Sequence, residues 1–309
     1  MYPFLLNTFS NSGEQQKPVL KVEEGIFETS RVFMLSGRDT SESVIKNGDF
    51  ANLGINEVLC RIAPEFKDTA FPIFIELIKT AERTPVKVYP NDEYALSHEG
   101  TTGKKSLIYI CDCLEDSEMV YGLRRTLSSD ELRNRTLSGS LSEVCNYVAV
   151  QKGDVFYVPS GVVFSLSAGI CALVISVNSD AEYIISDYSS NRSPQINRAV
   201  EVMSPKRINI RYGNTGEMTL FPFGTVRELG FTDSFKSELL SVDGNFGLYE
   251  DDCFVSLIVT SGQADMSYPS GTMHISAGHS ILIPYGIKVR LSGRAEMVYT
   301  RIYTQKKES

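Results

Sequence analysis

Few residues in this 309-residue sequence have the types and spacing that metal binding or catalysis requires. Cys111 and Cys113 would lie on one face of a strand, but two sulfurs supply only half of a zinc site. His274 and His279 are five residues apart around a turn, and the sequence offers no third ligand nearby. It also contains no nucleophile elbow, P-loop or dinucleotide-binding fingerprint. We therefore interpret these residues as buried thiols and turn histidines.

Two pairs of polar side chains are better placed to contact a ligand. Alternation along Val86–Tyr89 puts Lys87 and Tyr89 on one face of a strand. Lys104 and the adjacent Lys105 supply positive charge for an anion such as a phosphate. Two alternatives stay open: that Lys87 only fills the volume of a collapsed pocket, and that the second pair are ordinary solvated lysines.

An internal repeat identifies the elements that position such residues. The segment Val150–Ser167 has a near copy in Ile275–Ser292, with a glycine at Gly153 or Gly278 and a proline six residues later in each. Each copy has the pattern of a glycine turn, an apolar strand, a Pro-x-Gly reversal and a returning strand. This hairpin is typical of a cupin jelly roll. We therefore predict an all-β dominated fold of two cupin jelly-roll barrels with a small helical insertion.

The two barrels are expected at residues 1–192 and 193–309. The joint is placed near Ser189–Arg207, because its Ser, Asn and Pro content is typical of an irregular connection.

Few helices are expected in addition to the barrels. Ser128 and Ser140 each precede a glutamate by three residues, which is the spacing of a capping box. They predict two short helices in an insertion at about 128–147. Another short helix is expected at Asn56–Ile62, ending before Pro64.

Composition indicates a globular protein with a small partner. The chain has 42% hydrophobic residues and a net charge of -8, and its basic residues form no stripe. We therefore expect neither a nucleic-acid nor a membrane partner. The first residues do not have the pattern of a secretory signal and no apolar run is long enough to span a bilayer, so a cytoplasmic location is expected. The sequence leaves the oligomeric state open.

Several segments of the chain resemble the class I mannose-6-phosphate isomerases. The resemblance is carried by the segments Phe71–Thr80, Val86–Asp92, Gly103–Tyr109, Val158–Phe164 and Asn178–Asp180. It covers most of residues 25–192 and extends loosely into the second predicted barrel. It implies a cupin scaffold and a zinc enzyme that interconverts mannose 6-phosphate and fructose 6-phosphate.

The positions that match the functional residues of this family carry other residue types. Members of the family bind zinc with a Gln, a Glu and two His. The matching positions are Lys87, Tyr89, Ser106 and Phe164, and Ile184 stands where the family has an arginine. Protonated Lys has no lone pair to give, Phe has none, and neutral hydroxyls are weak zinc ligands. The resemblance thus leads us to expect that the zinc is lost and that no cofactor is bound. The candidate ligand contacts are Lys87, Tyr89, Lys104 and Ser106.

Two functions are consistent with this pattern. The first is an isomerase-like protein with a degenerate active site, which binds a phosphosugar or a partner protein without catalysis. The second is a divergent mannose-6-phosphate isomerase in which the ammonium of Lys87 replaces part of the charge of the metal. The sequence does not decide whether the second barrel has a site of its own.

Overall fold

Strands dominate the structure, a computed structural model of the chain. It describes residues 1–10, 13–16, 18–22, 28–67, 70–187, 194–209, 212–214 and 216–303. The strands are β1 (Phe4–Leu5), β2 (Phe9–Ser10), β3 (Ser30–Leu35), β4 (Ile73–Thr80), β5 (Val86–Val88), β6 (Ser106–Cys113), β7 (Glu118–Leu123), β8 (Cys145–Ala149), β9 (Val155–Val158), β10 (Phe164–Leu166), β11 (Ile170–Val177), β12 (Tyr183–Ser186), β13 (Met218–Phe221), β14 (Gly224–Phe231), β15 (Phe235–Leu248), β16 (Phe254–Tyr268), β17 (Gly271–Ser276), β18 (Ser280–Ile283) and β19 (Val289–Ile302). The α-helices are α1 (Ile55–Ile62), α2 (Asp92–Glu99), α3 (Ser129–Leu137) and α4 (Ile196–Val202).

The chain divides into two compact units whose limits differ from those expected. The unit that we call the C-terminal unit consists of Met1–Leu20, Arg31–Leu77 and Gly216–Ser309. The unit that we call the central unit consists of Lys21–Ser30 and Ile78–Thr215. The expected division at 1–192 and 193–309 did not anticipate this grouping, because strand pairing joins segments that are far apart in sequence. Within the C-terminal unit, for example, β1 pairs with β18.

The C-terminal unit contains a sheet in the order β1-β18-β16-β19-β15-β14-β13, with β17 paired to β16. The long strands β15, β16 and β19 lie side by side and pair in antiparallel fashion. Their alternating apolar side chains meet in one buried core, which includes Leu257, Met266, Leu291 and Met297. The opposite face of the same strands is largely polar and exposed toward their ends.

The central unit contains a five-stranded sheet in the order β12-β5-β10-β7-β8 and the neighbouring strands β11-β6-β9 of a second sheet. Its core includes Tyr89, Ile108, Phe156 and Phe164, each at most 4% exposed. The three-residue strand β5 therefore lies between β12 and β10, which fixes the surroundings of Lys87.

The two copies of the sequence repeat have matching backbone conformations. Gly153 and Gly278 both have a φ of 90°, and Gly161 and Gly286 have φ values of 83° and 77°. These left-handed conformations favour glycine because a Cβ atom would be strained there. The repeat thus forms the same turn and reversal in each unit, as the sequence predicts.

The predicted helices are mostly present. Helix α1 begins one residue before the expected start, and α3 begins after Ser128, whose side chain accepts the amide of Glu131. Leu141–Val144 forms a 3₁₀ turn whose Ser140 makes no capping hydrogen bond. Helix α2 was missed, although Asn91 caps it. None of the helices in the described part of the chain has the length and apolarity needed to cross a bilayer.

The joint expected near Ser189–Arg207 is only partly described. Residues 188–193 lie outside the described residues, and α4 occupies much of the rest. Helix α4 packs its buried Ala199 into the core of the central unit, so this stretch has regular structure where an irregular connection was expected.

Candidate functional site

The central unit brings the sequence-predicted site residues together around β5. Lys87 in this strand has Phe164 of β10 as its Cα partner on one side and Ile184 of β12 on the other. Side chains at directly opposed positions project from the same face of a sheet. Three of the positions matched to the isomerase family are therefore neighbours across three strands.

Tyr89 and Ser106 extend this group into the buried interior. The rings of Tyr89 and Phe164 have centroids 4.9 Å apart. The Ser106 hydroxyl donates to the Tyr89 hydroxyl at 3.2 Å and lies 2.7 Å from the Ser176 hydroxyl. Because Tyr89, Ser106 and Ser176 are at most 2% exposed, their hydroxyl groups satisfy one another out of contact with bulk water.

A carboxylate that sequence reasoning missed completes the group. The Glu182 Oε2 atom accepts a hydrogen bond from the Lys87 ammonium at 2.9 Å and from the Lys104 ammonium at 3.4 Å. Strand alternation alone could not identify it, because the pairing of β12 with β5 is also needed; once Ile184 is the partner of Lys87, Glu182 lies two residues before it and shares its face. We call these three side chains the Lys–Glu–Lys cluster.

Both lysines of the cluster are buried, with only 8% of Lys87 and 6% of Lys104 exposed. A buried charge needs a partner of opposite sign, and one carboxylate here serves two cations. Aromatic rings add to the stabilisation, since the Lys104 ammonium lies 5.0 Å from the Tyr89 ring centroid and the Lys87 ammonium 5.4 Å from that of Phe164. The hydrogen bonds to Glu182 and the two rings thus stabilise both ammonium groups away from bulk water.

A polar cavity of about 390 Å³ borders this cluster at Glu182. Its lining includes Asn178 and the carboxylates of Glu99, Asp180 and Glu182, and neither lysine of the cluster is among the described residues that line it. This volume falls within the range of about 300–1,000 Å³ that is usual for small-molecule sites. The structure therefore combines a buried cationic group with an adjoining space suited to a hydroxyl-rich molecule.

The far wall of this cavity is held by an ion pair between two helices. Glu99 at the end of α2 accepts the hydroxyl of Tyr183 at 2.9 Å and pairs with Arg198 of α4. Burial first, and then the hydrogen bond to Glu99, raise the pKa of Tyr183 to about 12. Tyr183 consequently remains a neutral hydrogen-bond donor at neutral pH and keeps Glu99 in place.

The expectation that this chain offers no cofactor site is wrong with respect to metals. In the C-terminal unit, donor atoms of Glu250, Asp252 and Cys253 lie within 4.8 Å of one another. Two carboxylates and a thiol suit a divalent cation by donor type. Sequence reasoning missed this group, because it considered the pair Cys111 and Cys113, the turn histidines and the four matched positions, and no motif marks Glu250, Asp252 and Cys253.

The surroundings of these donors bear on how a cation would bind. Burial, followed by the charges of Glu250 and Asp252, raises the pKa of the Cys253 thiol to about 12. A cation would therefore replace the thiol proton. Glu250 also accepts hydrogen bonds from Tyr299 and, at 2.8 Å, from Arg301, and these contacts orient its carboxylate.

Comparisons with known proteins agree with the fold. The chain is 27% identical over 289 residues to mannose-6-phosphate isomerase ManA of Bacillus subtilis, which covers 89% of this chain and 90% of that protein. It is 24% identical over 277 residues to the mannose-6-phosphate isomerase of Streptococcus mutans, which covers 84% of each. No protein-family model matches the chain.

A solved structure has a similar fold. The crystal structure of the mannose 6-phosphate isomerase from Bacillus subtilis aligns with a TM-score of 0.85 at 23% identity, covering 98% of this chain and 100% of that one. This similarity confirms the predicted all-β dominated cupin fold.

Proposed function

We propose that this homologue of the mannose-6-phosphate isomerases binds a phosphorylated sugar at the Lys–Glu–Lys cluster and does not isomerise it. The observation that carries the proposal is the convergence of two buried ammonium groups on one carboxylate beside a polar cavity. A phosphate group accepts hydrogen bonds from the two ammonium groups, and sugar hydroxyls donate to the carboxylates of the cavity wall.

The two buried ammonium groups provide the contacts for an anionic group at this place. Lys87 and Lys104 each have more than one ammonium hydrogen, so each can contact Glu182 and a second acceptor. Removing water from an ammonium strengthens its attraction for an anion, and both groups are largely removed from water here. The distances and burial support recognition of a phosphate through these two residues.

The same arrangement is poorly suited to proton transfer. Isomerisation through an enediol needs a base that moves a proton between adjacent carbons and a group that stabilises the oxyanion. The carboxylate of Glu182 accepts hydrogen bonds from both lysines, and these two ammonium groups hold it in place. It would have to leave both ion pairs to act as the base. We therefore assign the cluster to binding.

A divergent isomerase is the second candidate function. The observation that favours it is the 27% identity to a mannose-6-phosphate isomerase over most of both chains. In this case the Lys87 ammonium would stabilise the oxyanion, and turnover would depend on it. The two candidates predict opposite results in an activity assay.

Calorimetric titration with mannose 6-phosphate tests the binding proposal. We expect a response that Lys87→Met and Lys104→Met each weaken by about tenfold or more, since a hydrogen bond to a charged group contributes roughly 1.5–3 kcal/mol. Lys105→Met is the matched control, because it removes the same charge from the adjacent position. Equal weakening by all three changes, or the absence of any response at millimolar sugar phosphate, would refute the proposal.

A coupled assay for fructose 6-phosphate separates the two candidates. The binding proposal predicts no turnover above a buffer control. Turnover abolished by Lys87→Ala establishes the divergent isomerase. Turnover that survives Lys87→Ala shows a contaminating isomerase from the expression host.

A further inference from the structure

A groove on the C-terminal unit shares no described lining residue with the sites above. It has a volume of about 580 Å³ and lies across the ends of β15 and β16 and the start of β19. We call it the Arg290 groove, and its lining includes Gly247, Tyr249, Ser267, Tyr268, Lys288 and Arg290. Its volume is also in the usual range for small-molecule sites, about 300–1,000 Å³.

Arg290 lies at the centre of this groove. Its Cα partners are Gly247 of β15 and Ser267 of β16, so two small residues flank it. Arg290 is exposed, and its guanidinium has no hydrogen-bond or ion-pair partner among the residues that the structure describes. Arg294, four residues later on the same face of β19, is instead paired with Asp243 at 2.8 Å.

The remaining lining of the groove adds a second cation and two aromatic rings. Lys288 shares the outward face of Arg290, and its ammonium lies 5.6 Å from the ring centroid of Tyr249. Tyr249 and Tyr268 give the groove flat apolar surface. No acidic residue is among the described residues that line it, although the chain as a whole has a net charge of -8. The local charge is therefore opposite to that of the whole protein.

The absence of a side chain at Gly247 keeps the groove open. A Cβ atom built at this position meets no atom within 4 Å, and its φ lies outside the left-handed region. The backbone here therefore does not require glycine. A larger side chain would fit sterically and would occupy the space beside Arg290, which makes this position a sharp test of the groove.

We propose that the Arg290 groove binds an anionic carbohydrate. Arg290 and Lys288 contact the phosphate or carboxylate group, with the planar guanidinium suited to two parallel hydrogen bonds. The tyrosine rings pack against the apolar face of the sugar ring. The proposal depends on the C-terminal unit alone and does not require binding at the Lys–Glu–Lys cluster.

A tryptophan reporter tests this proposal locally. The natural chain contains no Trp, so Tyr249→Trp introduces a single fluorophore into the groove and retains an aromatic face. Titrations with mannose 6-phosphate, glucuronate, mannose and inorganic phosphate compare the ligand classes. We expect the anionic sugars to change the emission with at least about tenfold higher affinity than mannose or inorganic phosphate.

Three further changes in the reporter protein decide the outcome. Arg290→Gln should weaken the response to anionic sugars about tenfold, and Gly247→Leu should remove it. Arg294→Gln, the same charge change on the same strand, should alter it less than about twofold. A response to only one anionic sugar supports the site and identifies phosphate or carboxylate as its anion. Equal affinity for mannose, or equal effects of Arg290→Gln and Arg294→Gln, overturns the proposal.

Discussion

Replacing Glu182 by Gln tests the energetic basis of the Lys–Glu–Lys cluster directly. The substitution keeps the size of the side chain and removes the charge that both buried lysines share. Removing one partner from a buried ion pair typically costs about 3–5 kcal/mol, because the remaining charge is left uncompensated. The side chains of Lys87 and Glu182 are 11% and 19% exposed. A glutamine carbonyl can still accept one hydrogen bond, so we expect a loss of about 2–4 kcal/mol in the free energy of unfolding.

Urea denaturation at neutral pH measures the free energy of unfolding that Glu182→Gln loses. Adding a phosphate ligand tests whether the loss comes from the removed negative charge. If the lysines are left without an anion, a phosphate ligand should restore stability more in the variant than in the natural protein. A ligand at one hundred times its dissociation constant adds about 2.7 kcal/mol. Mannose 6-phosphate should therefore recover much of the loss if it binds this site.

Glu99→Gln is the matched control for this experiment. Glu99 lines the same cavity, but the side chains of Glu99 and Arg198 are 31% and 46% exposed. Exposed ion pairs contribute about 0–1 kcal/mol, so the control should lose less stability. Equal losses for the two variants would show that burial does not set the energetics of the cluster, and the reasoning would fail.

Three further predictions concern stability. Ser256→Ala should be neutral or stabilising, because the buried Ser256 hydroxyl has no hydrogen-bond partner in the described part of the chain. Ser237→Ala should cost about 1–2 kcal/mol, because it breaks a buried 2.9 Å hydrogen bond to a threonine hydroxyl, and chemical denaturation of both variants compares the two losses. Ser128→Ala should cost about 1 kcal/mol because the helix loses its N-cap hydrogen bond, whereas Ser140→Ala should cost clearly less because Ser140 makes no capping hydrogen bond. Equal decreases in the melting temperature of the two variants would contradict this prediction. Burial raises the pKa of the Cys171 thiol to about 12, so the folded state retains this proton longer than the unfolded state. The contribution of the Cys171 thiol to the free energy of unfolding is complete below about pH 9 and falls by about 1.4 kcal/mol per pH unit up to about pH 12. Cys171→Ala should remove that part of the decrease in the free energy of unfolding at alkaline pH, as measured by urea denaturation. An unchanged pH dependence would contradict this prediction.

Local sequence patterns were sufficient for the fold class and for part of the site. The spacing of Gly153 and Gly278 predicted equivalent turns because a left-handed φ favours glycine at both. The alternation of side chains along a strand placed Lys87 and Tyr89 on one face. In the structure the Lys87 ammonium lies over the Tyr89 ring, and the Tyr89 ring contacts that of Phe164. These features follow from one or two strands at a time, so the sequence contains them directly.

Features that depend on distant segments were not predictable in this way. Glu182 is 95 residues from Lys87, and only the pairing of β12 with β5 brings it into contact. The donors Glu250, Asp252 and Cys253 lie on a turn that no motif distinguishes. The grouping of Met1–Leu20 with Gly216–Ser309 likewise depends on which strands pair, and many pairings satisfy the same alternation.

The discontinuous make-up of the C-terminal unit has a consequence for biosynthesis. Its first segments leave the ribosome well before Gly216–Ser309, and the whole of Ile78–Thr215 is synthesised in between. Strand β1 must therefore wait for its partner β18, whereas the central unit has all of its strands as soon as Thr215 emerges. We expect the central unit to acquire structure first during translation. Strand β1 would then depend on Gly216–Ser309, or on chaperones, to cover its apolar side chains.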